Sequence, residues 1–444
     1  MKPPFRAKPL QILVAGYFLI TVLGTILLAL PVATADGAGQ PVLDAWFLAT
    51  SAVSTSGLTV VDISRYYSLF GQVVIMTIFQ IGGLGYMTFF VFMLTLMKKD
   101  LSISRRVAAV ESVSGAGEIN LSKFFKLVLL VTFSLEWIGS LILYFCWQGD
   151  IQPGRAAYLS VFHSISAFCT AGFSLFSDSL SSWRNSIPVN LTISILSLLG
   201  GIGFIVLTDL HGFLSKVAAG KRPGRLSPHT RLVLLATALV MAVSLPTILI
   251  VEPFQGFGFG EKVLAASFQV VSASTTDGFN TVEIGAMGPS GLFILIVLML
   301  IGAGPGSTGG GMKTSTFGTL ALAAWSYVRG KKDVNFQGRR IPDETIAKAS
   351  LILLVFVLIA AFDTVVLART ESASFLQLVF EISSALGNTG LSMGITPALT
   401  PAGKLLIILT MFAGRVGPLT LGLSLLGKTT KGDYHYAKAT VYVG

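Results

Sequence analysis

The chain has 444 residues, 53% hydrophobic and only 12% charged, with 31 Lys and Arg against 21 Asp and Glu for a formal charge of +10. A soluble protein of this length needs far more charge to cover its surface, so the composition points to a membrane protein. Two cysteines, Cys146 and Cys169, and four histidines without metal-ligand spacing exclude a disulfide framework and the usual zinc sites.

The first apolar stretch, Leu10 to Leu30, follows Lys2, Arg6 and Lys8. Val32-Ala33-Thr34-Ala35 looks like a signal-peptide cleavage site. The stretch is nevertheless about 20 residues long, beyond the roughly 7–15 of a secretory core and enough to span a bilayer. Further spanning-length segments lie near 72–97, 124–147, 189–210, 231–251, 290–328, 346–368 and 403–426, and a glycine-rich stretch breaks 290–328. Within each pair sits a shorter, half-polar segment, near 44–57, 157–172, 262–278 and 375–390, too short to span and read as re-entrant.

Segments 1–9, 98–126, 216–231, 329–348 and 428–438 hold 23 of the 31 basic residues. The opposite loops hold six: Arg65, Arg155, Arg184, Lys262, Arg369 and Lys404. Lys313 and Arg415 lie inside apolar segments. The positive-inside rule then makes both termini cytoplasmic, and every short segment dips in from outside. The excess charge is a topogenic signal, and a nucleic-acid partner is not expected.

The short segments end in SAVSTSGL (51–58), SAFCTAGF (166–173), SASTTDGF (272–279) and SALGNTGL (384–391), each Ser-Ala, four residues, Gly, then Leu or Phe. The expected fold is an all-α membrane protein of four outer helix–pore helix–inner helix repeats: eight transmembrane helices and four re-entrant pore helices around one central pore. The repeats fall at 1–98, 99–211, 212–330 and 331–444. Parallel repeats favour packing about an axis along the membrane normal.

Non-helical backbone at membrane depth is tolerated only where it lines a cavity or is buried in protein. Four equivalent turns on one axis give a ring of carbonyls able to replace a cation's hydration shell. Glycine supplies the backbone conformations this needs at little steric cost. Four unrelated helix C-caps would explain one glycine, but not a motif repeated four times in register. The candidate ion-binding residues are Thr55, Ser56 and Gly57; Thr170, Ala171 and Gly172; Thr276, Asp277 and Gly278; and Asn388, Thr389 and Gly390.

These motifs resemble the Trk, Ktr and HKT potassium transporter superfamily, nearest the bacterial Ktr membrane subunit of the KtrB type. IGGLGYMTF (81–89), FHSISAFCTAGFSL (162–175), LGGIGF (199–204), IGAGPGST (301–308), YVRGKK (327–332) and GLSMGITPALTPAGK (390–404) carry the resemblance across nearly the whole chain. It implies K⁺ uptake across the cytoplasmic membrane and a homodimer in membrane lipid with one pore per subunit. It also implies control by a cytosolic nucleotide-binding ring of the RCK/KTN type, with no nucleotide site on this chain. The family's filter glycines carry over onto Gly57, Gly172, Gly278 and Gly390, so K⁺ is the ion expected at the filter. In plant relatives Ser at the first position goes with Na⁺ preference, so Gly57 favours K⁺. Asp277 departs from the small residue expected there: it is either a vestibule cation site or points behind the filter to cap a helix.

GAGPGSTGGGMKTS (302–315) cannot propagate a helix. Met312 breaks the Walker order before Lys313, and no strand precedes the loop, which disfavours phosphate binding. By resemblance the loop is a gate below the filter, formed by Gly304, Gly306, Gly309, Gly310, Gly311 and Lys313. Aligning the inner helices places Gly83, Gly201 and Gly302 level with Arg415, an asymmetric constriction. A charge at this depth usually faces a cavity; a stabilising pair with a carboxylate is the alternative. Glu136 and Asp363 read as packing contacts. The basic loops 98–126, 211–231 and 329–348 are expected to dock a soluble partner, and the tail Tyr434–Gly444 to be ordered by a subunit contact.

An enzyme is disfavoured because no nucleophile, base or metal set converges. A Na⁺-coupled or Na⁺-permeable secondary transporter is the alternative to a gated K⁺ pore. The parallel repeats and the acid-poor axis count against coupling.

Overall fold

The computed structural model describes residues 9–96, 121–222 and 224–417, and within these the regular structure is helical apart from one two-stranded hairpin, Asn335–Phe336 with Arg339–Arg340. Most of the basic loop 98–126 and the whole tail Tyr434–Gly444, for which a docked partner and a subunit contact are expected, lie outside the described residues.

Four units follow one another. The first has an outer helix Pro9–Ala29, a pore helix Val42–Ser54 and an inner helix Leu69–Leu96. The second has an outer helix Leu121–Trp147, a pore helix Pro153–Phe168 and an inner helix Ile187–Ile202 that resumes as Phe204–Ala218. The third has Pro228–Val251, Phe259–Thr275 and an inner helix in two parts, Pro289–Ile301 and Thr314–Val328. The fourth has Asp343–Thr370, Phe375–Gly387 and Pro401–Val416. Residues 124–147, 228–251 and 343–370 are each long and apolar enough to cross a membrane unaided. The outward faces of these helices carry large apolar side chains that water would not tolerate together, such as Phe145, Val243, Phe362 and Val365. Val365 is 72% exposed, which suits contact with lipid chains.

Each outer helix packs against the pore and inner helices of its own unit. Each pore helix also touches the inner helix of the preceding unit, and the first pore helix packs against the last inner helix. The four units therefore close into a ring. At the closure Lys404 Nζ meets Asp44 Oδ1 at 2.6 Å, both side chains mostly buried.

Two findings differ from the expected elements. The 189–210 segment is not one straight span: its two helices meet at 102° at Gly203, whose φ is 100°. A Cβ there would strike the Pro305 carbonyl, and Phe204 N donates to Gly306 O at 2.9 Å. The bend therefore accommodates the glycine-rich loop of the third unit. That loop, flexible by composition, is folded on itself. Ala303 N bonds Gly310 O at 3.1 Å, Met312 N bonds Leu300 O at 3.1 Å and Lys313 N bonds Ile301 O at 2.9 Å.

Candidate ion pathway

Each pore helix ends in the same way. Thr55, Thr170, Thr276 and Asn388 take left-handed backbone with φ of 52°, 48°, 59° and 51°. The next residue's N–H then turns back to the serine of the Ser-Ala pair: Ser56 to Ser51 O, Ala171 to Ser166 O, Asp277 to Ser272 O and Thr389 to Ser384 O, all at 2.8 Å. Serine hydroxyls hold the turn beyond. Gly278 N donates to Ser272 Oγ at 3.1 Å and Gly390 N to Ser384 Oγ at 2.9 Å, while Ser166 Oγ donates to Phe173 O at 2.9 Å. The repeated Ser-Ala-x₄-Gly motif is thus a helix stop with a built-in side-chain tie. The tie is missing in the first unit, where Ser51 Oγ has no partner among the described residues.

The four glycines meet. Gly57, Gly172, Gly278 and Gly390 have φ of 83°, 64°, 89° and 95°. A Cβ on each would fall inside 3.0 Å of a carbonyl oxygen in another unit: Gly57 on Ala171 O, Gly172 on Asp277 O, Gly278 on Thr389 O and Gly390 on Ser56 O. Positive φ and the excluded Cβ together require glycine at all four. The carbonyls of Ser56, Ala171, Asp277 and Thr389 and the four glycines form one cyclic ring at the pore-helix ends. Such a ring offers a dehydrated monovalent cation backbone oxygens in place of water.

Among the described residues the Asp277 carboxylate caps no helix end; it is 1% exposed and engages the second inner helix, with Oδ2 2.5 Å from Ser197 Oγ. Its Oδ1 finds no partner among the described residues. Glu136 accepts from Gln80 Nε2 at 2.9 and 3.1 Å, and Asp363 accepts from Thr410 Oγ1 at 2.7 Å. Both are packing contacts between helices.

The glycine-rich loop lies against the inner ends of the pore helices. Gly310 N donates to Thr276 Oγ1 at 2.9 Å, and Gly304 N to Gly201 O at 2.7 Å. Gly309 abuts Thr275 and Thr276, and Gly310 abuts Gly387 and Asn388, closely enough that a Cβ on either would clash. Gly302 and Gly311 pack face to face. Lys313 folds back, its Nζ donating to Gly309 O at 2.7 Å and Gly310 O at 3.2 Å. Arg415 Nη1 donates to Thr308 O, and Nη2 to Gly82 O at 2.7 Å, beside Gly83. These carbonyls take the place of the carboxylate partner that a purely stabilising arginine would have. Thr308, absent from the expected set, ties the loop to three other units. The sequence signal was slight: two adjacent hydroxyl residues, Ser307 and Thr308, among glycines.

The chain matches the TrkH family, described as cation transport protein, over residues 3–428. It is 37% identical to Ktr system potassium uptake protein B of Bacillus subtilis, covering 99% of this chain and 97% of that protein. It is 36% identical to the protein of the same name from Vibrio alginolyticus, over 98% and 94%, and 32% identical to the potassium/sodium uptake protein NtpJ of Enterococcus hirae, over 99% and 98%. The crystal structure of the potassium transporter TrkH from Vibrio parahaemolyticus superposes with a TM-score of 0.74 at 21% identity, over 96% of this chain and 86% of that one, and so shares its fold. The chain belongs to the TrkH family of cation transport proteins: it is a multi-pass membrane transporter and not an enzyme.

Proposed function

We propose that this chain takes up K⁺ across the cytoplasmic membrane through a gated, channel-like pore. Thr55–Gly57, Thr170–Gly172, Thr276–Gly278 and Asn388–Gly390 are its selectivity filter. Loop 302–315, with Gly304, Gly306, Gly309, Gly310, Gly311 and Lys313, is its gate and Arg415 the latch. The observation that carries this reading is the cyclic ring of four glycines against four carbonyls. A ring of backbone dipoles suits a monovalent cation, and full-length relatives are named for potassium uptake. Both termini are placed in the cytoplasm by the distribution of Lys and Arg. The protein works as a homodimer, and a cytosolic nucleotide-binding ring docks on its basic loops and moves the gate. The test is growth of a host stripped of its own K⁺ uptake on limiting K⁺, together with Rb⁺ uptake competed by Na⁺. Rescue, with Rb⁺ uptake blocked by K⁺ and insensitive to equal Na⁺, is the expected result; no rescue and no Rb⁺ uptake defeats the reading.

A second reading, Na⁺-permeable or Na⁺-coupled transport, is favoured by the relative named for potassium and sodium uptake. Na⁺ uptake into vesicles lacking K⁺, or Rb⁺ uptake that requires a Na⁺ gradient, would distinguish it.

A further inference from the structure

Thr308 commits each of its polar groups to a different part of the ring. Its N–H donates to Gly200 O at 3.2 Å, on the second inner helix. Its carbonyl accepts from Thr55 Oγ1 at 3.1 Å, at the first pore helix, and from Arg415 on the fourth inner helix. Its hydroxyl donates to Phe168 O at 3.0 Å and lies 3.2 Å from Thr170 Oγ1, both at the end of the second pore helix. Gly200 makes room for it: a Cβ there would sit 2.9 Å from Thr308 Oγ1. Thr308 is completely buried.

Its partners Thr55 and Thr170 are residues forced into left-handed backbone directly before the ring. A β-branched residue there is strained by about 1–3 kcal/mol and persists only where its surroundings over-determine it. Each of these threonines keeps a backbone bond to its own pore helix, Thr55 N to Ala52 O and Thr170 N to Ala167 O, both at 3.1 Å. Its hydroxyl also lies 2.7 or 2.8 Å from its own preceding carbonyl, the Thr55 proton being shared between that carbonyl and Thr308 O, and Thr308 is the partner each hydroxyl has outside its own turn. The loop that would move when the gate opens therefore also supports the filter's shape, through Thr308 at Thr55 and Thr170 as through Gly310 at Thr276.

From this we infer that Thr308 is a positioning residue that couples gate to filter: with the loop seated it holds Thr55 and Thr170 in the cation-binding backbone, and withdrawal of the loop loosens that backbone. The inference rests on the reading of the ring as filter and the loop as gate. Linkage makes the coupling reciprocal: an ion bound in the filter favours the seated loop, and the seated loop favours the ion.

The purified full-length protein is heated in detergent over a range of K⁺ concentrations, with choline as the balancing cation. The readout is the K⁺ concentration giving half of the maximal stabilisation. Thr308→Val keeps the shape and removes the hydroxyl; Thr308→Ser keeps the hydroxyl. For Thr308→Val the half-stabilising K⁺ concentration is expected to rise about fivefold, the effect of losing one hydrogen bond, while Thr308→Ser stays within about twofold of the parent. A merely structural threonine would lower stability equally at every K⁺ concentration and leave the half-point unmoved, and that outcome overturns the proposal. Thr55→Val removes the filter-side donor to Thr308 O and keeps the test open should Thr308→Val not fold. It is expected to shift the same half-point and to raise resting Rb⁺ flux, and neither change occurring also overturns the coupling. Gly57→Ser serves as control: a K⁺ response unaltered in that variant would defeat the filter reading itself, separately from Thr308.

Discussion

Thr55, Thr170, Thr276 and Asn388 hold left-handed backbone only because contacts around them offset the strain, while the four glycines beyond them hold it freely. At Gly57 a side chain would have to enter the 2.6 Å between an ideal Cβ and Ala171 O, with Gly390 Cα at 3.3 Å. Gly57→Ser is therefore expected to displace the ring, add a hydroxyl ligand and reduce K⁺/Na⁺ discrimination about tenfold, the equivalent of about 1.4 kcal/mol; competition of Na⁺ against Rb⁺ uptake measures it. The glycines were legible in the sequence because a missing Cβ recurs with a fixed motif. Ser197 and Thr308 were not, since each acts across the fold: Ser197 lies 80 residues from Asp277, and Thr308 lies 138 from Thr170. Asp277 illustrates the limit: an acid beside a ring glycine reads equally well as facing the ion or facing away, and its contact with Ser197 was not legible in the sequence.

The elements carry their logic in the pore helix wedged between two inner helices. Short length and half-polar composition located four helices at 44–57, 157–172, 262–278 and 375–390, and the Ser-Ala-x₄-Gly repeat marks where each ends, three or four residues before its glycine. The bend at Gly203 escaped, because that glycine turns to accommodate the third unit's loop, a contact that no local pattern reveals. Composition denied helix to 302–315, which holds for 302–313, while Thr314 and Ser315 already begin the next helix. Carbonyls left free by the glycines were expected to take hydrogen bonds from Arg415, and Thr308 O does so. Those bonds set an expectation for the gate. Lys313 on the loop and Arg415 against it are two cations held by carbonyls. A permeating cation passing about 4 Å from either would be repelled by roughly 4 kcal/mol at an effective dielectric of about 20. Arg415→Ala, or removal of residues 305–310, should raise Rb⁺ flux several-fold and weaken its dependence on the proposed cytosolic partner. Flux that stays ordinary and fully regulated in both variants would show that the gate lies elsewhere.

At the scale of the whole molecule, a linear chain has to make a circle. Repeat spacing implied the circle, but not which contacts seal it: the first pore helix against the last inner helix, and Asp44 against Lys404. Lys404→Met leaves a mostly buried carboxylate alone and is expected to cost about 1–3 kcal/mol, less than a fully buried pair. Asp44→Asn with Lys404→Met should recover part of that loss, as thermal unfolding of the four members of the cycle would show. The closure has a consequence for biosynthesis. The Ser56 carbonyl meets its glycine only when Gly390 arrives, and Thr308 receives its arginine only when Arg415 does. The ribosome must therefore deliver the last quarter of the chain before either the complete ring or the arginine contact to the loop exists, so both come into being together at the end of synthesis.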